Sequence, residues 1–196
     1  MSVVAGLTAA TRVQCRYAGL WWDSLVALGA TCWLLALLGA TAIVRNRPWY
    51  DPQYFIPLLG LLLGNTLNGL ALGLDRFTHT LATTRAAVEG RLALGATGYE
   101  AAREPLVQAV RTGMLPILNS MSVVGLVSLP GIMTGQLLAG VPPVQAVKYQ
   151  IVVMFLIAAA VALGTVLAVF AAYRRLFNSW GQFLADRLLQ KTHNGR

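Results

Sequence analysis

Charge is scarce in this sequence, and negative charge is scarcer: Asp and Glu supply 7 of 196 residues, Lys and Arg 15. Charged residues make up 11% of the chain, against about 25% in soluble domains, and the mean hydropathy is +0.63. That balance excludes an ordinary water-soluble globule. Histidine occurs only at His79 and His193, and no Asp, Glu or His falls in the middle of an apolar run. A tightly coordinated, desolvated metal cage is therefore not visible, and the metal ligands stay unknown; a hydrated or chelated ion, or another solute, fits what is present. Met114, Met121, Met133 and Met154 are soft donors, but methionine in an apolar helix is usually packing. The two cysteines, Cys15 and Cys32, make no disulfide framework. Lysine occurs only at Lys148 and Lys191, neither after a glycine, so the chain carries no Gly-Lys-Ser/Thr phosphate loop. No carboxylate pair, histidine cluster or Ser–His arrangement shares one depth, which argues against an embedded enzyme. No cofactor is expected.

What is present is apolar length. Residues 24–44, 52–74, 112–147 and 149–173 carry no charge, and a helix needs about 20 apolar residues to cross the hydrocarbon core. The runs are continuous rather than alternating, so helices and not a barrel are predicted. Four spans follow: Trp21–Val44, Gln53–Leu74, one starting near Thr112, and Gln150–Tyr173. The fold class is thus all-α, a polytopic transmembrane helix bundle of four full spans plus an N-terminal partial span. The partial span is "MSVVAGLTAA", uncharged and about half a span long. It lacks the basic start of a signal peptide and reads as the tail of a helix whose beginning is missing, so the N-terminus looks truncated.

The four spans sort the basic residues. Arg12, Arg16, Arg76, Arg85, Arg91, Arg103, Arg111, Arg174, Arg175, Arg187, Lys191 and Arg196 fall on one side; Arg45, Arg47 and Lys148 fall on the other. Twelve against three puts both outer segments and the middle segment in the cytoplasm. The net charge of +8 is then mostly topology, and nucleic acid is not expected as a partner. Trp21, Trp22, Trp49 and Tyr50 suit the two interfaces.

Polar residues inside the spans are the candidates for a path. Asn65 and Asn68 lie three apart in "PLLGLLLGNTLNGLALG", neighbours on a helix surface, either as interhelical glue or as a polar strip. Gly60 and Gly64 predict a bare face for close helix approach. In "VSLPGIMTGQLLAGVPP", Pro130–Gly131 is expected to interrupt the helix begun near Thr112. Backbone freed at membrane depth must line a cavity or be buried in protein. The path candidates are Asn65, Asn68, Asn119, Ser128, Pro130, Met133, Thr134 and Gln136. Beyond Tyr173, Leu176, Phe177, Trp180, Phe183, Leu184 and Leu188 recur at helical spacing among arginines, which predicts an amphipathic helix in the tail 174–196, lying on the inner leaflet.

The segment 75–111 is the most polar part and reads as helical. Leu94 ends one helix with Gly95 suited to a left-handed position. Thr97 and Glu100 in "TGYE" form a capping box that starts the next, short helix. Glu89, Arg91, Arg103 and Glu104 decorate this rigid elbow, which suits a docking surface.

"VEGRLALGAT" resembles the "EAA" loop of ABC-transporter permeases: Glu89 and Gly95 keep its spacing, while Gly90 and Arg91 replace its alanines. "PWYDPQYFIPLLGLLLGNTLNGLALGLDR", "RLALGAT", "GLVSLPGIMTGQLLAG" and "AVKYQI" together look like the family of small ABC permeases that includes the bacterial iron-export permease and plant aluminium-tolerance (sensitive-to-aluminium) membrane subunits. The resemblance covers residues 12–178, and "SLPGIMTGQ" is its most specific piece. It implies a single permease domain over 1–196 in a bacterial inner membrane. It also implies a coupling role for Glu89, Arg91, Gly95, Thr97 and Glu100 against a separate ABC ATP-binding subunit, a permease homodimer in lipid, and export of an iron-like metal ion or related solute. A non-transporting membrane scaffold is the alternative.

Overall fold

The computed structural model describes residues 15–16, 19–39, 52–125, 131–178, 183 and 189–190. The apolar stub at residues 1–10, the interface residues Trp49 and Tyr50, and Ser128, Pro130, Trp180, Leu184 and Leu188 lie outside the described residues. A chain in hydrocarbon must satisfy its backbone polar groups internally, and the long runs do so as helices. The elements are β1 (Cys15–Arg16), α1 (Leu20–Leu38), α2 (Pro52–Thr83), α3 (Arg85–Ala93), α4 (Gly98–Val123), α5 (Gly131–Leu138), α6 (Pro143–Leu176) and β2 (Leu189–Gln190). The two-residue strands pair antiparallel, Cys15 opposite Gln190 and Arg16 opposite Leu189; among the described residues the other named elements are helices.

Three of these helices are long and apolar enough to cross a membrane: α1, α2 from Phe55, and α6. The expected span near Thr112 takes a different form. Its helix, α4, begins at Gly98, far back in the elbow, and stops at Val123. From Thr112 to Val123 the rise is about 18 Å, short of a hydrocarbon core of about 30 Å. The apolar stretch 112–147 is therefore divided: α4 ends, the backbone turns through Gly125 at φ +84, and the separate eight-residue α5 begins at Gly131. The predicted interruption exists, with the helix ending ahead of Pro130. α5 closes with a Schellman motif: Val141 N–H bonds to Gln136 O (3.0 Å) and Gly140 N–H to Leu137 O (3.1 Å), with Gly140 at φ +80.

α2 lies at the centre, packed on α4, α6 and α1. Leu62, Thr66, Leu70, Leu74, Phe77 and Leu81 recur every three or four residues along it and are buried, a helix-period stripe. α4 presents Ala101, Pro105, Ala109, Gly113 and Ile117 to the core, one every four residues. Small residues at that spacing let backbones approach closely. A Cβ added to Gly113 would sit 2.6 Å from Gly69 O and 2.7 Å from Thr165 Cγ2; one on Gly69 would sit 2.6 Å from Val161 Cγ1. One helical turn on, a Cβ at Gly164 would lie 2.5 Å from Thr66 Cγ2 and 3.4 Å from Thr31 Oγ1. Gly69, Gly73, Gly113 and Gly164 are thus glycines of close helix approach. Gly60 and Gly64, expected to play this part, meet nothing within 4 Å, because their stripe faces away from the neighbouring helices.

The outward faces are apolar as well: Trp22, Val26, Trp33 and Leu34 on α1 and Ile151, Phe155, Leu163 and Phe170 on α6 are exposed. Patches of that kind face lipid rather than water. Cys32 is a free, buried thiol. Asp23, in the first turn of α1, pairs with Arg175 at the end of α6 (Nε–Oδ2 2.6 Å). The Arg175 guanidinium lies over the bare backbone of Gly19, whose φ of +101 favours glycine. At the end of α6, Phe177 is extended (φ −113, ψ 133), bridges to Phe183 and stacks with it at 5.4 Å. At these described positions the tail is extended rather than the helix expected.

Candidate functional site

The structure offers two places of interest: the elbow, and a cavity at the opposite end of α4. The elbow is built by local rules. α2 runs past its last apolar turn through Arg76 and His79 to Thr83, so the polar segment starts as a continuation of the core helix. α3 follows after Thr84 and buries Val88 against the bundle. It ends in a Schellman motif, Ala96 N–H to Arg91 O at 3.1 Å and Gly95 N–H to Leu92 O at 3.0 Å, with Gly95 at φ +92. Thr97 then caps α4. Glu100 N–H donates to Thr97 Oγ1 (3.3 Å) and Thr97 N–H donates to Glu100 Oε2 (2.8 Å), the reciprocal capping box read from the sequence.

The structure changes one aspect of that reading. The second arm of the elbow is not a short helix; it is α4, 26 residues long. α4 contains Pro105 and Pro116, each without an N–H, so the carbonyls of Ala101 and Thr112 lose their regular partners. The elbow is braced from three sides. Arg91 reaches Glu104 across the bend (3.3 Å), Arg76 donates to Gln108 (3.1 Å), and Tyr99 meets Tyr173 of α6 edge to face at 6.3 Å. A niche of about 240 Å³ lined by Arg76, His79, Thr80, Arg91 and Glu104 lies inside the bend. Glu89 is engaged by Arg85 one turn earlier (2.7 Å). Both pairs are exposed, so each contributes at most about 1 kcal/mol; the caps and Val88 hold the shape. At the tip, Leu94 is 91% exposed, an apolar side chain set on a fixed turn with nothing to cover it.

The Thr97 backbone N–H, then the Thr97 hydroxyl, bind the Glu100 carboxylate and hold its pKa below the ordinary value. A depressed carboxylate pKa means that the capping interaction is complete above the ordinary glutamate value and is lost as pH falls through the lowered one. Amide protection at Thr97 and Glu100, read by hydrogen exchange, is expected to hold from neutral pH to mildly acidic pH and to collapse below that. Glu100→Gln is expected to flatten this dependence.

The cavity, of about 450 Å³, lies among α2, α4, α5 and α6. Apolar side chains including Leu61, Ile117, Ile132 and Met154 form most of its wall, and Asn65, Ser120 and Gln150 supply its polar groups. Asn65 Nδ2 donates to Leu61 O at 2.9 Å, and Ser120 Oγ donates to Pro116 O at 2.9 Å. Gln150 is 4% exposed, and its Oε1 has no hydrogen-bond partner among the described residues. A buried amide oxygen left open costs about 1–3 kcal/mol.

Of the described path residues expected from sequence, only Asn65 lines this cavity. Asn68 and Asn119 are exposed, and Met133, Thr134 and Gln136 are half-buried on α5 outside the cavity wall. Gln136 Oε1 is a second buried amide oxygen without a partner among the described residues; the hydroxyls of Ser24, Thr66, Thr80 and Thr165 are also without one. Gln150 and Ser120 were missed. Gln150 was legible: it shares the buried stripe of Val153, Ile157 and Ala160 on α6, and an amide on such a stripe carries the same message as Asn65. Among the described residues no group of three or more His, Cys, Asp or Glu side chains could hold a metal ion.

Comparison with known proteins extends this picture. A family profile described as "Uncharacterised protein family (UPF0014)" matches residues 1–177. A UPF0014 membrane protein of Synechocystis, slr1647, is 38% identical over 184 residues, covering 94% of this chain and 71% of the relative. The probable iron export permease protein FetB of Escherichia coli is 32% identical over 152 residues, 78% of this chain and 59% of the relative. The Arabidopsis protein ALUMINUM SENSITIVE 3 is 31% identical over 177 residues, 90% of this chain and 63% of the relative. The chain thus spans less than two thirds of the length of the last two. No solved structure matches.

Proposed function

Because this chain belongs to the UPF0014 family of membrane proteins, we propose that it is the membrane-spanning permease subunit of an ABC transporter, working with a second copy of itself and driven by a separate ATP-binding subunit. Its cargo is an exported metal ion or a related solute, in line with the relative named as an iron export permease. The observation that carries this reading is the continuity of α4. One helix begins at the capped elbow and ends at the cavity, where Ile117, Ser120 and Val123 form part of the wall. A displacement of the elbow by a docked engine is carried along α4 to the cavity, because a helix transmits force along its axis while a loose loop absorbs it. Glu89, Arg91, Gly95, Thr97 and Glu100 shape the docking surface, and the twelve-to-three division of basic residues, with the divided stretch 112–147 crossing once, supports a cytoplasmic side for that surface at an inner membrane.

The test is co-purification with the ATP-binding cassette subunits of the same genome, followed by ATP-dependent flux in vesicles. Gly95→Val forces a β-branched residue into φ +92, at a local cost of about 1–2 kcal/mol, and is expected to abolish both association and flux while the spans stay folded. Normal co-purification of a Glu89→Ala, Gly95→Val double variant overturns the docking assignment. Labelling of Glu100→Cys from outside the cell overturns the orientation.

A further inference from the structure

The outward faces of the bundle are not alike. α1 and α6 turn bulky hydrocarbon outward, Trp33 and Leu34 on one, Phe155 and Leu163 on the other, as lipid requires. α2 and α4 turn out amides. Asn68 and Leu72 are exposed on α2, in line with Gly60 and Gly64, where an added Cβ would meet nothing within 4 Å. On α4, Leu115, Asn119 and Ser122 are exposed at helical spacing. Arg76, one turn beyond Leu72, donates to Gln108, two turns before Leu115 (3.1 Å), so the two stripes lie side by side and make one face. Both amides lie at bilayer depth. Asn68 stands seven residues before Asp75, the first charge of α2, and Asn119 eight residues after Arg111, the last charge of α4. Those offsets are about 10 Å and 12 Å along a helix, well inside a hydrocarbon core of about 30 Å. A side-chain amide carries two donor hydrogens and an oxygen with two lone pairs. Its own helix cannot satisfy all of them, and lipid satisfies none. This face therefore calls for a polar neighbour, which the faces of α1 and α6 do not.

Building on the transporter reading, which calls for a second copy of the chain, we propose that the second copy seats on the α2–α4 face by its own α2–α4 face. Two copies related by a two-fold axis need a self-complementary surface. With the axis along the membrane normal, residues near it meet their own counterparts at equal depth. An amide fits that condition because it both donates and accepts: Asn68 of one copy pairs with Asn68 of the other. A charged side chain would meet its like and be repelled, and residues 52–74 and 112–147 carry no charge. Gly60 and Gly64, idle within one copy, give the two α2 helices bare backbone on which to approach. Asn119 widens the polar surface that the pairing removes from lipid.

Cross-linking in membranes tests the face. In a Cys15→Ala, Cys32→Ala background, the full chain carries one new cysteine as Gly64→Cys, Asn68→Cys, Leu34→Cys or Phe155→Cys and is oxidised with copper phenanthroline. Gly64→Cys and Asn68→Cys are expected to give a disulfide-linked species of twice the chain's 21.0 kDa, while the α1 and α6 positions stay monomeric. Gly64→Leu separates contact from fold. Its Cβ meets nothing within one copy, so in detergent dilute enough to leave the parent monomeric too, the variant is expected to melt no lower than the parent. Energy transfer between labelled copies in proteoliposomes, with no ATP-binding subunit present, is expected to show self-association weakened by about tenfold or more. Asn68→Leu is expected to weaken it as well. Cross-links at the α1 or α6 position instead, cross-links at none of the four, a linked species of another mass at Asn68→Cys, or a Gly64→Leu variant that self-associates like its parent overturns the proposal. A pair joined at this face that binds no ATP-binding subunit leaves the inference standing and removes the transporter reading; an ATP-binding subunit that associates while the copies cross-link elsewhere does the reverse.

Discussion

Gly113→Leu is expected to unfold the centre of the bundle, lowering stability by about 3 kcal/mol or more. The new side chain starts where a Cβ is already 2.6 Å from Gly69 O and 2.7 Å from Thr165 Cγ2. A backbone oxygen held in α2 cannot rotate aside as a side chain does, so α2 and α4 must separate. Overpacking of a core usually costs about 1–3 kcal/mol, and here the loss of close packing adds to it, because helices in lipid associate through such contacts and have no water to drive them together. The sign is sharpened by a matched pair. Gly60→Ala meets nothing within 4 Å and removes a helix-weakening glycine, so it is expected to gain up to about 1 kcal/mol. Gly113→Ala carries the same propensity gain and is nevertheless expected to lose stability. Thermal melts in detergent decide the matter; if the two alanine variants shift in the same direction by the same amount, the junction at Gly69, Gly113 and Thr165 is wrong.

Leu94→Glu is expected to leave the melting temperature unchanged and to weaken association with the ATP-binding subunit by about 30-fold or more. The two effects separate because the side chain is 91% exposed: changes at such positions usually move stability by less than about 0.5 kcal/mol. An apolar anchor at the centre of an interface is worth about 2 kcal/mol or more when a partner covers it. The Schellman turn at Gly95 and the Thr97 capping box fix the direction in which Leu94 points, so no ordering cost offsets its contribution. Surface-plasmon or pull-down affinities against the purified partner provide the measurement. An unchanged affinity would show that the tip of the elbow is not a contact.

Local chemistry was legible in the chain. Gly95, Thr97 and Glu100 announce a turn and a cap because their signals involve residues no more than three or four apart, and the backbone obeys them wherever the segment sits. The long uncharged runs likewise announce helices, since hydrocarbon permits little else. Facing was harder to read. Gly60 and Gly64 have the same spacing as Gly69 and Gly73, and nothing local says which stripe meets a neighbour; that depends on where α4 and α6 lie. The length of α4 was misread because charges at Arg103, Glu104 and Arg111 and the ring of Pro105 argue for a short water-side piece. Its contacts with α2 and α6 carry the helix through them.

The solvent, the helical class and the capped bend are written into the chain, since each follows from composition or from neighbours along it. That Asn65, Ser120 and Gln150 share one cavity, and that a single helix joins the elbow to it, comes from how the helices pack. Residues as distant as 65 and 150 meet only after three helices have packed, and the small residues that allow the packing are recognisable as contacts only once their partners are in place.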